Sequence, residues 1–148
     1  MKTLLHLLLG IVTFGLGCAT HVGIAATHRE DISAQARIFA IAARNLEDGT
    51  RGHGGSPAEQ AAAQNISVLH TAAEHFARDS ARWSSDDIVN TRYEELIRAW
   101  VTVKQTFPDI KGDAQVEESF KRVSYEYEKL ARSTGYSNKK YEKSLEKK

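Results

Sequence analysis

The chain has 148 residues, of which 41% are apolar and 26% charged, with a formal net charge of +1. That length allows one domain-sized core, and the near-neutral balance gives no reason to expect a nucleic-acid partner. A single cysteine, Cys18, excludes an internal disulfide, so the body must be held by its core.

The first element in chain order is "MKTLLHLLLGIVTFGLG", residues 1–17, whose only charge is Lys2. A cationic start followed by a short apolar run is the pattern of a cleaved export signal, and the run falls short of the ~20 apolar residues that a membrane-spanning helix needs. It closes on "FGLGC", Phe14 to Cys18. This segment resembles the lipobox of bacterial lipoproteins: apolar and small residues, then a small residue directly before the cysteine. Gly15 stands where that family usually has Leu. The resemblance covers the signal alone and implies that Cys18 is acylated as the first mature residue. Ordinary cleavage after Ala19, Ala25 or Ala26 is the competing expectation.

Beyond the signal, nineteen basic side chains face nineteen acidic ones. From Arg132 onward the balance is +4, from six cations against Glu142 and Glu146, which leaves −4 for residues 18–131. A short basic tail of this kind is commonly just solvated, and it also suits an anionic surface.

Four helical stripes follow. Ile32, Ala36, Phe39, Ala43 and Leu46 repeat at steps of four and three, with Ile38 and Ile41 off the line, as a broad or doubly buried face would require. The second stripe is Ala62, Ile66, Leu69, Ala73, Phe76, Ser80 and Trp83. The third is Val89, Tyr93, Leu96, Trp100, Val103 and Phe107. The fourth is Val116, Phe120, Val123, Tyr127 and Leu130. None alternates by two, so no strand is predicted.

Helix boundaries are marked as well. Thr27–Glu30, Ser56–Glu59 and Ser84–Asp87 have the spacing of capping boxes, and Pro57 suits a first helical position. Gly49 reads as a cap after Leu46, Pro108 as a stop and Gly135 as the end of the fourth helix. The connections Glu47–Ser56, Ser84–Ser85 and Pro108–Ala114 are short, which favours antiparallel neighbours. The expectation is therefore an all-α protein, an antiparallel up-down four-helix bundle behind a cleaved N-terminal signal. Its divisions are residues 1–17 as signal, 18–27 as linker, 28–135 as bundle and 136–148 as basic tail.

Candidate chemistry is sparse. His70 and Glu74 are four apart on the second helix, which makes them a two-ligand arm for a metal, but the third and fourth helices carry no histidine to complete a site. No Cys-x-x-Cys-His exists for covalent haem, and the only methionine is Met1. The glycines of "DGTRGHGGSP", with Arg51 and His53, suggest either an anion cradle or a plain connection, and lack P-loop order. Tyr125 lies off the fourth stripe and is a candidate partner contact. No nucleophile motif is present. The expected function is an exported cell-envelope bundle, lipid-anchored through Cys18, in the periplasm or on the periplasmic face of the outer membrane. It would touch an envelope protein, use no cofactor and catalyse nothing. The alternative is a periplasmic metal or haem carrier using His70 and Glu74.

Overall fold

The computed structural model describes residues 29–110 and 113–135. Cys18, Thr27 and residues 136–148 lie outside them, so lipidation, the first capping box and the tail lie outside as well. The protein is an all-α four-helix bundle. Its helices are α1 (Arg29–Thr50), α2 (Pro57–Arg82), α3 (Asp86–Thr106) and α4 (Ala114–Thr134). A single 3₁₀ turn, Phe107–Asp109, follows α3. Among the described residues, no helix is long and apolar enough to cross a membrane.

The stripes form the core. Ile32, Phe39, Leu46, Ile66, Leu69, Phe76, Val89, Tyr93, Leu96, Val123 and Leu130 are all inaccessible to solvent. Burying an aliphatic or aromatic side chain of this size stabilises by about 1.5–3 kcal/mol, so these residues dominate the balance against chain entropy. On α3 the apolar face is wider than the stripe, because Ile97 and Val101 are buried beside it. On α1 the reverse holds. Ile38 and Ile41 are exposed, so the face is narrow and the expected second buried face is absent.

Helix α1 packs against α2 and α4, and α2 also packs against α3. The α3–α4 side is bridged by large side chains. Phe107 stacks on Phe120 at 3.8 Å, Phe120 on Trp100 at 5.6 Å, and Trp100 meets Tyr127 at 5.2 Å. Tyr127 in turn reaches Phe39 of α1 at 6.0 Å. Rings of this size need more room than the alanines of the α1–α2 seam, where Ala36, Ala43, Ala62 and Ala73 permit close approach. Thr134 Oγ1 donates to Tyr93 Oη at 3.2 Å, satisfying a buried phenol at the far end of the α3–α4 side.

The caps follow local chemistry. Ser56 accepts from Glu59 N at 3.2 Å and Glu59 Oε2 accepts from Ser56 N at 3.0 Å, closing a full capping box with Pro57 in the first turn. At α3 the cap is Ser85, whose hydroxyl accepts from Ile88 N; the box expected from Ser84 and Asp87 does not form. The shift by one residue has a visible cause. Trp83 turns left-handed (φ 41°) to close α2, and its Nε1 donates to Asp86 Oδ1 at 2.6 Å, which leaves Ser85 at the helix entrance. Asp113 caps α4 by accepting from the Gln115 and Val116 amides. Gly135 ends that helix with φ 63°, a conformation that costs glycine nothing. Gly49, expected as a cap, lies inside α1, which runs on to Thr50; there Thr50 Oγ1 donates to the Glu47 carbonyl.

Candidate functional site

One polar cluster joins α1 to α2 around His70. Ile66, Leu69 and Ala73 fix which face of α2 is buried, and that rotation sets His70 at the seam's edge with its side chain 16% exposed. Glu47 comes from the last turns of α1. His70 Nδ1 lies 2.5 Å from Glu47 Oε2, and His70 Nε2 lies 3.2 Å from Glu74 Oε1. Both ring nitrogens of His70 therefore face carboxylate oxygens, one from each helix. Burial pushes the Glu47 carboxyl upward, but hydrogen bonds from Ser67 and His70 and the charges of His70 and Arg51 outweigh it. The net effect holds Glu47 below its ordinary range.

The structure therefore brings the expected pair His70 and Glu74 together and adds Glu47, which sequence spacing on one helix does not show. A metal at Nε2 would find Glu74 beside it, with Glu47 behind the ring orienting the imidazole. No group of three or more His, Cys, Asp or Glu side chains able to hold a metal ion occurs among the described residues. The Glu47–His70 contact joins α1 to α2.

The glycine loop is similarly occupied by its own groups. Arg51 pairs with Asp48 at 3.1 Å, and His53 Nε2 lies 3.6 Å from Asp113 Oδ2 at the start of α4. The Glu59 amide at the start of α2 donates to Ser56 Oγ and the Ser56 amide to Glu59 Oε2, so the groups that the anion-cradle reading invokes face partners within the protein. The Gln115 and Val116 amides, then His53, lower the Asp113 carboxyl below its usual range. His53 and Asp113 thus tie the two loops at one end of the bundle together.

Tyr125 stands on the outer side of α4, 52% exposed, with the Arg122 guanidinium 5.9 Å and the Lys129 ammonium 5.4 Å from its ring. Both cations also face Glu126, a fully buried carboxylate. Arg122 Nη2 is 2.6 Å from Oε1 and Lys129 Nζ is 3.4 Å from Oε2. The Arg122 contact is an ion pair without an aligned N–H···O, so Oε1 accepts no hydrogen bond among the described residues. Sequence reasoning missed Glu126. Its position one residue before the striped Tyr127 was the available signal.

On the opposite side of the bundle, α2 and α3 border an open groove of about 610 Å³. Val68, Ala72 and Ala99 supply its apolar surface, with Asn65, His75 and Arg98 around them. The chain matches no protein-family model, no curated protein and no solved structure.

Proposed function

We propose that this chain is an exported cell-envelope helical bundle, anchored through lipid on Cys18, that works by contact rather than by catalysis. The observation that carries the reading is the apolar segment with one cation ending at the lone cysteine, "FGLGC". It is supported by the polar chemistry of the bundle. His70 meets Glu47 across α1 and α2, His53 meets Asp113 across two loops, and Asp79 of α2 pairs with Arg92 of α3 at 3.0 Å, each as a structural clasp would. The contact surface is drawn from apolar side chains left outside the core: Ile38, Ile41 and Tyr125 on α1 and α4, Val68 and Ile88 on α2 and α3.

The test is fatty-acid labelling of the wild-type chain against Cys18→Ser in an exporting bacterium. Label on the wild type and none on the variant supports the anchor; equal labelling ends it. Elemental analysis and an absorbance spectrum of protein from its own envelope separate this reading from the metal or haem carrier. Crosslinking in the intact envelope identifies the protein touched.

A further inference from the structure

We infer that the outward side of the α1–α4 pair is the face that the tethered bundle turns toward an anionic membrane surface, an inference that rests on the lipid-anchor reading above. Three of the five large apolar side chains exposed among the described residues lie on this pair: Ile38 (41%), Ile41 (62%) and Tyr125 (52%).

Their juxtaposition follows from the register. Gln35 of α1 meets Glu126 of α4, and further along Ala42 and Asn45 share a shallow cleft with Gln115, Glu118, Ser119 and Arg122. Ile38 stands between those two levels, on the side of α1 that borders α4, and Ile41 lies one step further round the outer surface. Across the seam, Lys121, Tyr125, Lys129 and Arg132 recur at steps of four, four and three along the outer side of α4. Lys121 pairs with exposed Glu118 at 3.8 Å, while from Arg122 to Arg132 the helix carries three cations against Glu126 and Glu128, and Glu126 is turned into the α1–α4 interface.

An aromatic ring with a polar tip, held between two cations and set beside aliphatic side chains, matches the headgroup layer of an anionic bilayer. The ring and the isoleucines enter the interface while the cations meet phosphate. The tether supplies proximity. Cys18 precedes Arg29 by eleven residues, a span of at most roughly 40 Å, so an acylated chain keeps the bundle at high local concentration beside the lipid. The α2–α3 groove, on the opposite side, is then the face left open to a protein.

The experiment places a single thiol on each side. Ile41→Cys and Val68→Cys, both at exposed positions, are expressed as full chains, labelled with an environment-sensitive fluorophore and reconstituted into phosphatidylcholine vesicles with and without phosphatidylglycerol. Brominated lipid should quench the Ile41→Cys probe roughly twofold or more above the Val68→Cys probe, as insertion at the headgroup boundary requires, and only with phosphatidylglycerol present. Adding Tyr125→Ser to Ile41→Cys should lower that quenching. Equal quenching at both positions, or no dependence on phosphatidylglycerol, overturns the inference while leaving the anchor standing. Fluorophore uptake by the wild-type chain, whose only thiol is Cys18, overturns the anchor and this inference together.

Discussion

Gln35 and Glu126, ninety-one residues apart, join α1 to α4: the Gln35 amide donates to Glu126 Oε2 at 2.8 Å, beneath a surface carrying Arg122 and Lys129. A buried carboxylate costs free energy to desolvate, and these partners offset that cost. Glu126→Ala removes the charge and leaves a void, and should destabilise by about 2–4 kcal/mol. Gln35→Ala keeps the charge but removes its aligned donor, which should cost about 1–3 kcal/mol. Urea denaturation midpoints at unchanged slope measure both. A Gln35→Ala variant as stable as wild type would show that the two exposed cations alone hold Glu126.

The α2–α3 turn distinguishes two adjacent serines. Ser85 accepts from Ile88 N at the start of α3 and Ser84 caps nothing, so Ser85→Ala should cost about 1 kcal/mol and Ser84→Ala close to zero. Thermal melts of the two variants decide it; equal losses would place the cap elsewhere.

Trp100 is the hub of the α3–α4 seam, touching Phe120 and Tyr127 while only 3% exposed. Trp100→Ala should cost about 3–5 kcal/mol, because rings on two helices lose their common neighbour and the gap cannot close without moving α3. Trp100→Phe should retain much of the stability. Denaturant unfolding followed by circular dichroism reads both, and a small loss for alanine would mean that the seam collapses freely.

The fold was legible because each stripe repeats at helical spacing with punctuation to match, as in Ser56-Pro57 at the start of α2 and Gly135 after α4. What spacing could not show lies between helices. Glu126 gains its meaning only when α1 supplies Gln35, and Glu47 only when α2 supplies His70. Ile38 and Ile41 mislead for a related reason: an apolar residue off the stripe looks buried unless the neighbouring helix leaves that side open. The Ser84–Ser85 slip has a local cause: the left-handed turn at Trp83 closes α2 and its indole bonds Asp86, a geometry that no pattern of caps encodes.

The clasp between α1 and α2 makes stability depend on acid pH. Burial raises the Glu47 carboxyl, Ser67 and His70 lower it more, and the folded-state value lies below the ordinary 4.5. A carboxyl depressed on folding gives stability that is complete above its unfolded value and lost as pH falls through its folded one. Asp79, held by Arg78 and Arg92, and Asp113, held by the α4 amides, act in the same direction. Unfolding free energy should therefore fall as pH drops below about 4.5, with the slope of added proton uptake in the unfolded chain. Glu47→Gln should be less stable than wild type by about 1–2 kcal/mol at neutral pH, from loss of a charge-assisted hydrogen bond. The deficit should shrink below pH 4, where wild-type Glu47 is itself protonated in the unfolded chain. Denaturant titrations of both proteins across the acid range measure the difference. A deficit that stays constant down to the lowest pH would mean that Glu47 contributes through packing and not through its charge.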